Sequence, residues 1–164
     1  MKKPTTILSG EHKNILLAIN RILKECGNID SGGELDENFF IKVIDFIRNY
    51  ADNFHHAKEE DILFVELNKE GVLEHCNPIG QMLHEHDLGR GFVKGLNEAV
   101  EKGNKIEAVK NARGYCELLQ EHIFKEDNIL YPMADEALKE SAQKEISEKF
   151  AKISDLKFEE KDWE

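Results

Sequence analysis

The run His55-His56-Ala57-Lys58-Glu59-Glu60-Asp61-Ile62-Leu63-Phe64 decides how the chain is read, because it returns as His122-Ile123-Phe124-Lys125-Glu126-Asp127-Asn128-Ile129-Leu130-Tyr131. Histidine, lysine, glutamate, isoleucine and leucine coincide in register, which marks an internal repeat. Each copy lies in the second helix of a pair, and each first helix carries a Glu-His dipeptide, Glu11-His12 and Glu85-His86. The chain therefore reads as two similar helical hairpins related by a pseudo-twofold axis and differing mainly in loop length.

Outward from the repeat, three prolines and eleven glycines in 164 residues leave strong helix formers dominant, and no segment alternates like a strand. The first helix is expected from a Thr5 or Thr6 cap, through Leu8, Ile15, Leu16, Ile19 and Leu23, to Gly27. Asp36 caps a second carrying Phe40, Ile44, Ile47, Ala51, Ile62 and Leu67, stopped near Gly71. Asn77-Pro78 opens a third that ends at Gly103, since proline suits the first helical position. The fourth runs from about Lys105 to Pro132, and Asp135 caps a fifth to about Ile153, before an acidic tail expected to fray. The fold class is all-α: an antiparallel up-down-up-down four-helix bundle over 1–134, with a short C-terminal helix and tail, 135–164, packed on the same domain.

Acidic side chains outnumber basic ones by 33 to 22, a net charge of −11. Such a surface repels phosphate backbones and anionic head groups, so neither nucleic acid nor membrane is expected as a partner. Cys26, Cys76 and Cys116 form no Cys-x-x-Cys pair, which argues against a disulfide framework or a thiolate zinc site and for small buried hydrophobes in a reducing compartment. Lys2 and Lys3 are followed by no signal-peptide apolar run, and no stretch approaches the roughly 18 apolar residues of a membrane span. A soluble cytoplasmic protein is expected. The thin apolar stripe of the fifth helix, Leu138, Ile146, Phe150 and Ile153, is available for a homodimer contact.

Residues at i±3, i±4 and i±7 share a helix face. By that rule His12, His86 and His122 sit among apolar neighbours, Ile129 being one of those of His122. His55 continues the line of Ile47, Ala51 and Ile62, whereas His56 lies over Asn49, Asp52 and Asn53. His55 is therefore expected inside, and His56, His75 and His84 solvated or beside the site. Glu59 and Glu126 follow His55 and His122 by one helical turn and project beside them, with Glu60 and Asp127 turned about 100° away. Tyr115 reads as core packing, with a hydrogen bond to a metal-bound oxygen as the sharper role.

Four imidazoles and two carboxylates in an apolar core need compensation, because an unpartnered buried carboxylate loses several kcal/mol or becomes protonated. A pair of divalent ions provides it, bridged by Glu59 and Glu126, with about two imidazoles and about one open position each. Iron is expected ahead of manganese. Zinc favours a single tetrahedral site, and calcium and magnesium favour oxygen ligands.

Glu11-His12, the His55–Phe64 run, the Asn77-Pro78-Ile79-Gly80-Gln81-Met82-Leu83-His84-Glu85-His86 opening and the His122–Met133 run together resemble the hemerythrin-like, or HHE cation-binding, family over about residues 5 to 134. The resemblance implies a four-helix bundle around a non-haem di-iron centre with an oxo or hydroxo bridge. Its ligands would be His12, His55, Glu59, His86, His122 and one carboxylate after His122. The internal repeat selects Glu126 for the last, with Asp127, the position used by the family's oxygen carriers, as runner-up. Those carriers have a fifth histidine where this chain has Arg90, which weighs against reversible oxygen storage and leaves Arg90 either covering the site or reaching to the bundle end. The four-histidine, two-glutamate set is similar to the di-iron domain of bacterial proteins implicated in repair of iron-sulfur clusters. The additional cysteine-bearing domain of those proteins is not found in these 164 residues. The function implied is binding of, or reaction with, oxygen, nitric oxide or peroxide in sensing, scavenging or stress response. A di-iron peroxidase or nitric-oxide-reacting enzyme is the catalytic form, and iron donation to damaged clusters or a purely structural metal site are the alternatives.

Overall fold

The computed structural model describes residues 1–153, and these are all α-helical in class, with no strand among them. Helix α1 spans Pro4–Asp30. Helix α2, residues 37–67, joins Glu37–Phe46, Ile47–His56, Glu59–Leu63 and Phe64–Leu67 in one rod. Helix α3 is Ile79–Glu101. Helix α4, residues 105–137, joins Lys105–Lys125, Glu126–Leu130 and Tyr131–Ala137, and α5 is Glu140–Ala151. The first four form an up-down bundle in which α1 packs on α4 and α3 packs on α2 and α4, while α5 lies against α1 and α2. No helix among the described residues is long and apolar enough to cross a membrane.

The helix starts follow side-chain chemistry. Asp36 accepts a hydrogen bond from the Phe39 amide and Asn104 one from the Glu107 amide, each at 3.1 Å, covering donors that the first turn leaves open. Asn77 does the same for Ile79. Helix α1 differs from the sequence reading at both ends. It starts at Pro4, which needs no amide partner, so the Thr5 hydroxyl is released to donate to Asp135 Oδ1 at 2.6 Å. It also runs through Gly27, and the left-handed residue that follows is Gly32, at φ +99°. With Asp135 engaged by Thr5 and still inside α4, the fifth helix begins at Glu140 instead of after Asp135. The expectation of a frayed tail falls largely on residues 154–164, outside those described.

Two apolar clusters fill the bundle. One holds Ile15, Ile19, Phe40, Val43, Leu96 and Ala112 among others; the second holds Leu8, Leu63, Phe64, Met82, Leu130 and Tyr131. Ile146 and Phe150 belong to the second, so the stripe read as a dimer contact is spent on docking α5 to its own chain. Cys26 and Cys116 are buried as expected, and Cys76 is exposed.

Three segments, Ile47–His56, Glu59–Leu63 and Glu126–Leu130, are π-helical. Their i→i+5 bonding widens the turn, so a count at 3.6 residues per turn slips across them. The slip shows in both copies of the repeat. Leu63 and Leu130 are the buried residues, at 0% and 1% exposure, while Ile62 is only half-buried and Ile129 is 50% exposed, against the expectation that Ile129 shares the inward face of His122.

Candidate metal centre

A polar layer built by all four bundle helices contains His12 from α1, His55 and Glu59 from α2, His86 from α3, and His122 and Glu126 from α4, none more than 2% exposed. The structure brings all six sequence-selected residues together. They fall in two groups: His12, His55 and Glu126 in one, and Glu59, His86, His122 and also His56 in the other, with one ligand atom per residue within 4.8 Å of the rest of its group. Of the two expectations for His56, solvated or beside the site, the structure overturns the first. The π-helical stretch that ends on it buries both consecutive histidines, leaving His56 4% exposed and not solvated. His75 and His84 are exposed.

Each inner histidine is aimed from behind by a carboxylate. His55 Nδ1 donates to Glu11 Oε1 at 3.0 Å, His122 Nδ1 to Glu85 Oε1 at 3.0 Å, and His12 Nδ1 to Asp127 Oδ1 at 2.9 Å. His86 Nδ1 lies 3.3 Å from Glu60 Oε2, near enough to pair but not aligned as a hydrogen bond. Such contacts fix the tautomer and leave the Nε2 lone pairs facing the centre of the layer. The carboxylates are held in turn. Lys58 donates to Glu11 and Lys125 to Glu85, Ser9 donates to Asp127, and Arg90 donates to Glu60, Asp52 and Asp87. Arg90 therefore covers the outer carboxylates and does not enter the layer. Asp127, the runner-up for the last ligand, reaches His12 from outside, whereas Glu126 is fully buried within.

The sequence reading assigned Glu11, Glu85, Lys58, Lys125 and Tyr131 no part in supporting the histidines or carboxylates of the layer. The signal was available for four of the five, since both Glu-His dipeptides and both lysines belong to the repeat. Tyr131 needed the fold: its hydroxyl lies 3.4 Å from His12 Nε2 and donates to Glu59 Oε2 at 3.4 Å. Tyr115 is core, as read, with a buried hydroxyl that has no hydrogen-bond partner among the described residues.

Whether the residues fit metal can be judged from what is left unsatisfied. His55 Nε2, Glu59 Oε1, and both oxygens of Glu126 are buried with no hydrogen bond. His86 Nε2 and His122 Nε2 stand 3.1 Å apart, and His122 Nε2 is 2.7 Å from Glu126 Oε1, so lone pairs oppose one another with no proton assigned between them. Orphaned buried acceptors cost about 1–3 kcal/mol each, more when charged. Burial and the facing Glu126 charge push the Glu59 carboxyl well above its ordinary range, while Glu126, which burial alone would also raise, is held well below by Glu59 and the imidazoles of His122 and His12. Two buried carboxylates, one pushed towards its neutral form by the charge of the other and both ringed by inward lone pairs, are the donor set that a pair of cations satisfies.

The comparisons with known proteins point the same way. No curated protein and no solved structure matches the chain. The family model for the hemerythrin HHE cation binding domain matches residues 3–134, the four helices that build the layer. With that span matched and the buried histidine-glutamate groups in place, the chain belongs to the hemerythrin HHE cation-binding domain family.

Proposed function

We propose that the chain is a non-haem di-iron protein, its ions held by His12, His55, Glu59, His86, His122 and Glu126, and that it binds or reacts with a small ligand such as oxygen, nitric oxide or peroxide. The observation that carries the reading is the set of orphaned acceptors, because no donor among the described residues satisfies them. Mixed imidazole and carboxylate donors favour iron or manganese over calcium, magnesium or a thiolate metal, and iron is proposed. Bound there, an iron pair would supply redox chemistry and open coordination positions.

The chain's own part is orientation and exclusion of water. Glu11, Glu85 and Asp127 hold three imidazoles as Nδ1–H tautomers. Tyr131, whose pKa burial and the Glu126 charge keep well above the ordinary value, stays a hydrogen-bond donor beside Glu59. Phe64, Leu63 and Leu130 pack in the apolar cluster beside the layer. Burial of every proposed ligand favours a small diffusible reactant over hand-off of iron to a partner protein.

The test is metal content after anaerobic Fe(II) loading, followed by optical titration with oxygen, peroxide and nitric oxide. About two irons per chain and absorption changes with at least one reactant are expected. Iron that binds without responding to any of the three would leave a structural metal site, and no iron above trace would overturn the reading.

A further inference from the structure

Resting on the reading of the layer as a metal centre, we propose that His56 is a fifth imidazole ligand, supplied by α2 to the ion on the His86–His122 side and making the two ions chemically unequal.

The repeat places His56 opposite Ile123, so at this position one hairpin has an imidazole that the other lacks. Any buried imidazole needs an acceptor for its N–H, and what matters here is where that acceptor stands. His56 has one: its Nδ1 donates to Asp52 Oδ1 at 2.9 Å, the arrangement that His55, His122 and His12 make with Glu11, Glu85 and Asp127. With Nδ1 committed, the other ring nitrogen is the one left to a cation. The ring is in the right company. One of its nitrogens groups within 4.8 Å of ligand atoms of Glu59, His86 and His122; its ring stacks on His86 with centroids 3.8 Å apart and 19° between planes, so holding one ion together with His86 requires the His56 ring to turn out of the stack.

Asp52 is anchored as the other outer carboxylates are. Arg90 Nε donates to it at 3.3 Å while Arg90 NH2 donates to Glu60, which backs His86, so one guanidinium braces the supports of both stacked imidazoles. The π-helical segment Ile47–His56 supplies the geometry. It lets two consecutive residues turn inward, His55 toward the group of His12 and Glu126 and His56 toward the group of His86 and His122. One ion would then have three imidazoles and Glu59 from its own group, and the second two imidazoles and Glu126.

The experiment uses the full chain loaded with Co(II), whose visible absorption reports coordination, and compares wild type with His56→Ala, Asp52→Asn, His55→Ala and the exposed-site control His84→Gln. Bound metal is measured by equilibrium dialysis, and helix content by circular dichroism. His56→Ala is expected to weaken one of two cobalt sites by more than the roughly 10–100-fold that an outer partner contributes, and to change the cobalt spectrum. Added free imidazole should restore both, which a packing role would not allow. Asp52→Asn, which keeps the ring, is expected to weaken the same site by roughly ten-fold and so covers the case in which His56→Ala does not fold. His84→Gln should match wild type. Two cobalt sites in folded His56→Ala or Asp52→Asn with wild-type affinity and spectrum, while His55→Ala loses one, would overturn the role of His56 and leave the metal centre standing. Wild type that takes no cobalt or iron would overturn both.

Discussion

In α2 the repeat lysine, Lys58, is sealed: it is 4% exposed, with Nζ 2.6 Å from Glu11 and 3.6 Å from the centroid of the Phe54 ring. In α4 its counterpart Lys125 makes the same reach to Glu85, yet its side chain stays 37% exposed. One motif thus makes one bond in two dielectric settings. The difference comes from outside the repeat. Helix α5 packs on α2, and Phe150 brings a second ring to within 5.7 Å of Lys58 Nζ, so the lysine behind His55 is closed off while the one behind His122 keeps its contact with water. Local sequence sets which bonds form, and burial sets how much each contributes.

The largest effect is expected from removing the cover. Phe150 is 3% exposed and anchors α5 in the second apolar cluster, so Phe150→Ala should cost about 4 kcal/mol through lost burial and the cavity left behind. Urea unfolding of the metal-free protein measures it. A loss below about 1 kcal/mol would mean that α5 is held by other contacts and that the contrast between the hairpins does not originate there.

Next comes the lysine pair itself. Lys58→Met leaves Glu11 buried with only His55 as partner and should cost about 3 kcal/mol. Lys125→Met, at a half-exposed pair, should cost under about 1 kcal/mol. Equal losses would erase the distinction. In the Phe150→Ala background, with water admitted to Lys58, the gap between the two is expected to narrow.

The carboxylates behind the histidines give a smaller, functional contrast. Glu11→Gln and Glu85→Gln each remove the charge that fixes an Nδ1–H tautomer, and each should weaken iron binding by roughly ten-fold, read by competition with a chelator. Glu11, whose lysine partner is buried where that of Glu85 is 37% exposed, is expected to lose more.

These contrasts also mark what could be read from the residues. The all-α bundle, the two hairpins and the convergence of His12, His55, Glu59, His86, His122 and Glu126 follow from a repeat whose spacing is local. His56 did not, because three π-helical segments advance the helix face by a different angle per residue, and nothing in a 3.6-residue count announces them. Ile129 and Ile62 fail for the same reason, each displaced by the leucine that follows it. The start of α5 failed differently: Asp135 has cap chemistry, but Thr5, 130 positions away, takes its side chain. Such long-range competition appears only once α1 and α4 are packed.

The last position of the repeat offers the mildest test. Phe64 and Tyr131 correspond, and only the second carries a hydroxyl, placed between His12 and Glu59. Tyr131→Phe makes the hairpins alike there and removes the hydroxyl that donates to Glu59, so a loss of about 1 kcal/mol in the metal-free protein is expected. Because burial and the charge of Glu126 hold the phenol well above its ordinary pKa, the O–H persists through neutral and mildly alkaline solution. A raised folded-state pKa means that the hydroxyl's contribution is fully present below the ordinary tyrosine value and is lost as pH rises above it, because the unfolded chain gives up its phenolic proton first. Wild type should therefore lose stability relative to Tyr131→Phe as pH rises through the ordinary tyrosine range. A difference between the two that instead grew in favour of wild type there would identify a phenolate in the layer and reverse the role assigned to Tyr131.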